Sequence, residues 1–509
     1  MKRRIRIERG AAAAAALGAG ATAVLSLPPF SILPAAPLAY SAVYLLIAGR
    51  DALPALGIGW AFGLGYFGFG LSWIAESFFV DAERFGWMGF PAVAALSACL
   101  ALFPALACAV FARLRLSGLT GAAGFAACWL AAEWLRGHVL TGFPWNLPGY
   151  ALADFDLLRQ PAAWFGIYGL SFLTVFIAVL PAVTLKAHTM AARGGAFVLA
   201  AALPALLAGL GVVRLATAPA GESSIRLRIV QGNVPQSEKW RPDVREEIFS
   251  RYLSLSARPG TCDLLLWPET AFPGYLDEDP EAVRRLTELL TESQLLLTGV
   301  PDRVPGDEGP LYFNTIQTYD STGGPITGYA KHHLVPFGEY VPHWMPLARL
   351  VDTPGDFTPG PGPRTLAFGR YPLVAATICY EAIFPGHVVD PLMRPDLIFN
   401  AANDAWFGSS IGPYQHLAAA RMRAVEEGLP LARAANTGVS AVFDAYGRSV
   451  ERLGLEETGI LDADLPPPLS ATLYAWLGDF TVPPLIALTF LGAWSLDARA
   501  RRRQSISEI

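Results

Sequence analysis

Residues 377–386 read TICYEAIFPG. A run of apolar and β-branched residues, from Leu373 to Ile378, ends in Cys379, with Tyr380 and Glu381 directly behind it. Two other stretches share this arrangement. LLLWPETAFP (264–273) delivers Glu269 after an apolar run and a proline, and GYAKHHLVPFGEYVP (328–342) carries Lys331 and Glu339. Each places a reactive side chain where a buried strand opens into a loop, which is where α/β sheets bind ligands. The residue types complement one another. A thiol attacks a carbonyl carbon as thiolate, and at a pKa of about 8.5 a free cysteine is mostly protonated. Glu269 can take that proton as general base. Attack leaves negative charge on the carbonyl oxygen, and the Lys331 ammonium can stabilise it together with the backbone N–H after the nucleophile. Losing one such donor typically costs roughly 3–4 kcal/mol of barrier.

Taken singly these residues have ordinary explanations. A cysteine ending a strand packs in a core, Glu269 can cap a helix, Lys331 can be a solvated turn residue and Glu339 a surface carboxylate. Their joint occurrence in one domain is what points to chemistry.

The elements that must position them divide by composition. The 509-residue chain is 53% hydrophobic and only 16% charged, with a net charge of −5. A soluble domain averages about 25% charged residues, so membrane segments are expected. No basic tract suggests a nucleic-acid partner. Of the five cysteines, Cys99, Cys108 and Cys128 sit in apolar runs as packing residues; Cys262 and Cys379 complete the set. No CxxC or Cys/His spacing argues for a metal, no cofactor motif is found, and the odd count implies no disulfide framework.

A spanning helix needs about 20 mainly apolar residues. Candidates fall near 11–27, 31–49, 54–75, 89–112, 120–135, 163–185 and 195–216, with a last one near 474–496. Lys2, Arg3, Arg4, Arg6 and Arg9 at one end, and Arg499, Arg501, Arg502 and Arg503 at the other, put both termini in the cytoplasm. Arg50, Arg113, Arg115, Lys186 and Arg193 fall in alternate loops on that same side, while Arg84, Arg136 and Arg159 lie in the opposite ones. The expected division is a membrane domain over 1–216, a catalytic domain over 217–473 on the far, periplasmic side, and a final span with its tail over 474–509. The first 27 residues can also be read as a signal peptide. Glu76 and Glu133 lie at expected span ends, so no proton relay is inferred.

Between about 222 and 465 the texture becomes α/β. Strands are expected at 225–233, 262–270, 295–300, 314–320, 371–381 and 396–404, and helices at 280–293 and 415–428. A hairpin turns at Gly323 and Gly324.

The three reactive stretches resemble the Glu–Lys–Cys signature of the nitrilase superfamily, whose members work through a cysteine thioester on an α-β-β-α sandwich. With membrane spans around it, the whole chain resembles the bacterial apolipoprotein N-acyltransferases. QGNVPQSEKW (231–240), WPETAFPGY (267–275), KHHLVPFGEYVP (331–342), ICYEAIFP (378–385) and NDAWFG (403–408) are similar to that family's motifs in its order; GFPWNLPGY (142–150) resembles its membrane signature. The resemblance implies a polytopic α-helical membrane domain of about eight spans plus a nitrilase-like α-β-β-α domain.

It further implies that Cys379 is the nucleophile, Glu269 the base and Lys331 the oxyanion stabiliser. Glu339, Tyr380 and Glu381 would support them. Trp240 and Trp406 would line the mouth, and Trp145, Asn146 and Tyr150 would position lipid. The implied reaction moves an acyl chain from a phospholipid, preferably phosphatidylethanolamine, onto Cys379. It then passes to the α-amino group of a lipoprotein's diacylglyceryl-cysteine, in the bacterial inner membrane, through a monomeric enzyme. HWMPLARLV (343–351) and AWFGSSIGPY (405–414) are candidate lids that would keep water from the thioester. Two other readings use the same residues: a membrane-tethered amidase for small soluble amides, and a transporter or scaffold with an inactive nitrilase-like domain.

Overall fold

The computed structural model describes residues 2–217, 224–307, 309–342 and 356–507. These form two compact units. One holds the described residues up to Ser72, Phe90–Thr217, and those from Leu473 on; the other holds Trp73–Gly89 and the described residues from 224 to Thr472. The expected division of the chain is thus crossed by one segment, Trp73–Gly89.

The first unit is helical at each apolar run. Its principal helices are α1 (Lys2–Val24), α2 (Ala35–Ile47), α3 (Ala52–Gly70), α4 (Gly89–Leu100), α5 (Leu102–Leu114), α6 (Gly118–His138), α7 (Ala162–Lys186), α8 (Met190–Ala216) and, after the second unit, the helix Val482–Ser507. Among the described residues, five helical stretches are long and apolar enough to cross a membrane: Ala52–Gly70, Ala82–Leu114, Ala162–Lys186, Met190–Ala216 and Leu473–Ala493. Small residues let helices approach closely. A Cβ on Gly65 of α3 would lie 2.0 Å from the Leu17 carbonyl of α1, and one on Gly20 of α1 would lie 1.9 Å from the Phe62 carbonyl. Trp129 of α6 packs edge-on to Tyr40 and Phe62, at ring separations of 5.2 and 5.3 Å. Glu133, placed by the sequence at a span's end, is instead buried in α6 and paired with the equally buried Arg136 one turn on.

The second unit is built from two six-stranded sheets. The first has the order β12-β1-β2-β3-β4-β5 and the second β11-β10-β9-β8-β7-β6. The strands are β1 (Arg226–Gln231), β2 (Leu264–Leu266), β3 (Leu295–Val304), β4 (Leu311–Tyr319), β5 (Pro325–Ala330), β6 (Thr365–Leu366), β7 (Val374–Ile378), β8 (Leu397–Ala402), β9 (Leu431–Ala435), β10 (Ser440–Phe443), β11 (Ser449–Leu453) and β12 (Gly459–Asp464). β1, β2 and β3 run parallel, as do β7, β8 and β9.

The period-2 alternation of each strand builds the layers. Leu227, Ile229, Leu264 and Leu266 of the first sheet share one core with Val374, Ala376, Ile378 and Phe399 of the second. The intervening residues face outward. Val230 and Leu265 meet α9 (Arg245–Ser256) and α10 (Pro280–Leu289), while Ala375 and Ile398 meet α11 (Gly412–Glu427). Helix, sheet, sheet, helix is the expected α-β-β-α sandwich. Covered on both faces, β2 reads as an unbroken apolar run, and β7 and β8 are interrupted only by Thr377 and Asn400. The expected hairpin is β4–β5, with Gly323 and Gly324 at positive φ of 93° and 78°.

Candidate active site

Glu269, Lys331 and Cys379 come from three strands. Glu269 follows β2, Lys331 is the first residue after β5, and Cys379 is the first after β7. All three are buried.

Glu269 sits on a bent turn. Thr270, next to it, has φ of +50°, and the turn rests on β3 through Gly299 N–H donating to the Pro268 carbonyl at 3.2 Å and Ala271 N–H donating to the Gly299 carbonyl at 2.9 Å. The carboxylate accepts from Asn314 Nδ2 of β4 at 2.7 Å, and its Oε1 lies 3.7 Å from Lys331 Nζ. The same Asn314 amide donates to Glu339 Oε1 at 2.9 Å. Lys331 Nζ donates to Glu339 at 2.9 Å, and the Val335 N–H donates to the other Glu339 oxygen at 2.8 Å. The Lys331 backbone is fixed as well, its N–H donating to the Asn314 carbonyl at 2.9 Å. Two carboxylates, one ammonium and one amide therefore form a closed, hydrogen-bonded cluster.

The electrostatics follow from that packing. Burial alone would push the Lys331 ammonium down, but Glu339 and Glu269 outweigh it and hold its pKa above the ordinary lysine value. The Cys379 thiol is pushed well up by burial and by Glu269, against the pull of Lys331 and the Asn403 main chain. The same surroundings therefore favour the thiol form of Cys379 over the thiolate.

Cys379 itself adopts φ of +50°, a left-handed conformation rare for a residue with a side chain. Four hydrogen bonds hold that elbow. Glu381 accepts the Ile378 N–H at 2.7 Å on one oxygen. Its other oxygen accepts the Tyr329 hydroxyl at 2.7 Å and the His332 N–H at 2.8 Å, which ties the cysteine elbow to the lysine loop. Burial pushes the Glu381 carboxyl up, yet His332 and its other partners keep it below the usual range. From behind, His416 Nε2 donates to the Cys379 carbonyl at 2.9 Å while its Nδ1 meets Asp404 at 2.8 Å. Arg433 bonds the second Asp404 oxygen at 2.7 Å.

Cys379, Asp404 and His416 offer ligand atoms within 4.8 Å of one another. Both His416 nitrogens are already committed, one to a main-chain carbonyl, and the Arg433 guanidinium stands 3.0 Å from Nδ1. This set fits a brace for the elbow better than a metal site or a second base.

Of the other expected residues, Tyr380 packs at ring separations of 5.1 Å from Phe384 and 5.8 Å from His333. Trp240 is half exposed and Trp406 half buried. Trp145, Asn146 and Tyr150 are buried within the helical unit, where Tyr66 donates its hydroxyl to the Asn146 carbonyl at 2.6 Å. The candidate lid at 405–414 is a 3₁₀ turn, Asp404–Phe407, running into α11. The other, at 343–351, lies outside the described residues.

Sequence reasoning missed Asn314, Lys239, Asp404, His416 and Arg433. Lys239 is fully buried and donates Nζ to the Glu269 carbonyl at 2.9 Å. Burial pulls its pKa down to about 8 against the opposing influence of Glu269 and Cys379. A signal was available for Asn314: it is in phase with Ile316, whose side chain faces the inter-sheet core, so a polar residue there demanded a partner.

Known families cover both parts of the chain. Residues 19–180 match the apolipoprotein N-acyltransferase N-terminal domain, and residues 226–474 match carbon-nitrogen hydrolase. The apolipoprotein N-acyltransferase of Rhodopseudomonas palustris is 40% identical over 500 residues, covering 94% of this chain and 93% of the relative. That of Bradyrhizobium diazoefficiens is 42% identical over 501 residues with the same coverages of 94% and 93%. That of Caulobacter vibrioides is 39% identical over 508 residues, again covering 94% and 93%.

Proposed function

Because the chain belongs to the apolipoprotein N-acyltransferase family, an acyltransferase family carrying a carbon-nitrogen hydrolase domain, we propose that it completes lipoproteins by N-acylation through a Cys379 thioester, with a phospholipid as acyl donor. In the first step Glu269 takes the Cys379 proton as sulfur attacks the ester carbonyl. The oxyanion forms beside Lys331. Its collapse breaks the ester C–O bond, and Glu269 returns the proton to the departing lysophospholipid oxygen. In the second step the α-amine of a diacylglyceryl-cysteine attacks the thioester carbonyl, Glu269 takes the amine proton, and the C–S bond breaks. The products are an amide and the restored thiol.

The observation that carries this reading is the single cluster of Glu269, Lys331, Glu339 and Asn314, whose charges act on a thiol held at a strained strand end. The same cluster would serve an amidase for soluble substrates. Several apolar helices favour a lipid donor instead, since lifting a lipid into water exposes its chain at about 0.8 kcal/mol per CH₂.

The finer reading has the helical segments spanning the inner membrane about eight times, the catalytic unit on the periplasmic face, phosphatidylethanolamine as preferred donor, and a monomer as the working form. Trp240 and Trp406 line the mouth, and Trp145, Asn146 and Tyr150 position lipid. The buried Asn146 side-chain amide, unpaired among the described residues, is suited to a polar headgroup. Mass spectrometry of the protein purified from membranes is the direct test. A Cys379 peptide carrying a fatty-acyl mass, discharged by a diacylglyceryl-cysteine peptide, is expected. An unmodified Cys379 under conditions of active turnover would remove the thioester step.

A further inference from the structure

Trp73–Gly89 lies in sequence between two apolar helices, yet it clusters with the catalytic unit. Its contacts concentrate on one place, the Asp404–Phe407 turn and the glycines after it. Trp73 meets Phe407 edge-on at a ring separation of 4.3 Å. Ser77 Oγ donates to the Trp406 carbonyl at 2.9 Å. A Cβ on Gly412 would lie 2.9 Å from the Trp73 ring, and one on Gly408 3.1 Å from Glu76 Oε2, so both glycines exist at van der Waals contact with this segment. The turn leads straight to the nucleophile. Phe407 packs on the His416 ring at 5.8 Å, Asp404 at the head of the turn bonds His416 Nδ1, and His416 Nε2 bonds the Cys379 carbonyl.

We infer that Trp73 and Ser77 are positioning residues for Cys379, acting through the Asp404–Phe407 turn and His416. The inference rests on Cys379 being the nucleophile. Cys379 holds φ of +50°, and such a conformation persists only where its surroundings over-determine it. His416 supplies part of that constraint; β9 holds the head of the turn that orients His416, through Arg433 on Asp404, but not its Trp406–Phe407 end. Trp73 and Ser77 close it from outside the sandwich. Displacing the turn would rotate the imidazole, release the Cys379 carbonyl, and move sulfur away from the ester carbon.

The test uses full-length protein in phosphatidylethanolamine-containing micelles, with a synthetic diacylglyceryl-cysteine peptide as acceptor. Trp73→Ala should lower kcat on the order of tenfold and leave KM for the lipid within about twofold, because misplacement acts on the reacting geometry rather than on binding. Trp73→Phe, which keeps an aromatic edge for Phe407, should recover most of the rate. Ser77→Ala removes one hydrogen bond without disturbing packing and should lower kcat by about threefold to fivefold. It decides the matter if Trp73→Ala does not fold. Alkylation of Cys379 by iodoacetamide, followed on its own peptide, should slow in step with kcat. Wild-type kcat in Ser77→Ala, or a Trp73→Ala defect carried wholly by KM, would overturn the inference while leaving the thioester reading intact. Activity in Cys379→Ala would overturn that reading itself.

Discussion

At the scale of single residues, Glu339 decides how the site behaves in alkali. Lys331 is a buried ammonium kept charged by two carboxylates. Its pKa stands above the lysine norm, so it remains protonated across the working range. Glu339→Gln removes one of those charges, and burial then pulls the ammonium down. Deprotonation arrives at lower pH, so the alkaline limb of kcat should move to lower pH, and the rate at neutrality should fall by on the order of a hundredfold. A pH–rate profile checks this; an unmoved alkaline limb would separate Glu339 from Lys331. Cys379, Glu269, Lys331 and Glu339 stood out in the sequence through their joint occurrence in one domain and the family resemblance, and the fold brings Glu269, Lys331 and Glu339 into one cluster. Lys239, His416 and Arg433 did not. Each sits inside an ordinary helix or strand, and only the fold shows that its polar end points inward toward Glu269, Cys379 or Asp404.

At the scale of elements, the site depends on how closely β3 lies under the turn that carries Glu269. A Cβ on Gly299 would fall 2.5 Å from the Pro268 carbonyl, 2.6 Å from Glu269 Cα and 2.7 Å from Thr270 N, all main-chain atoms that cannot rotate aside. Gly299→Ala should therefore displace Glu269 from its place beside Asn314 and Lys331. We expect a stability loss of about 1–3 kcal/mol with a disproportionate loss of kcat. Thermal unfolding and steady-state rates on the same preparation separate the two, and full activity would mean the turn is not held by β3.

The brace behind the cysteine has its own pH signature. Burial would raise Asp404, but Arg433 and His416 hold it down at about 2. A depressed carboxyl contributes stability that is complete above its unfolded value of about 4 and is lost as pH falls toward its folded value. The melting midpoint should thus decline between about pH 4 and pH 2, and Asp404→Asn should flatten that decline while lowering the midpoint at neutral pH, since it strands the Arg433 charge. The longer strands were readable as apolar and β-branched runs, whereas their layering into a sandwich came only with the family resemblance. β9, β10 and β11 escaped notice because LARAA is alanine-rich, SAVF is four residues long, and β11 is largely exposed, so none of the three shows a strong period.

At the scale of the whole molecule, the apolar runs announced helices correctly, because hydrophobic length is a local property. The membership of Trp73–Gly89 in the catalytic unit could not be read the same way. It depends on Trp73 and Ser77 meeting residues more than three hundred positions away, and nothing in their own neighbourhood signals it. Sidedness falls between these cases. It follows from where Lys and Arg cluster, and that rule acts during insertion rather than in the finished fold. That rule predicts Arg115 on the cytoplasmic side and the catalytic unit on the other. Leu392 is the natural reporter for that unit: it is 95% exposed and lies in the loop before β8, away from the cysteine elbow. Leu392→Cys in intact spheroplasts should react with a membrane-impermeant maleimide, above the background of the unsubstituted protein. Arg115→Cys should react only after the membrane is broken. A lipid-anchored acceptor is reachable only from the leaflet that the catalytic unit faces, so labelling of Arg115→Cys and protection of Leu392→Cys would place the thioester on the wrong side of the bilayer for lipoproteins displayed in its outer leaflet.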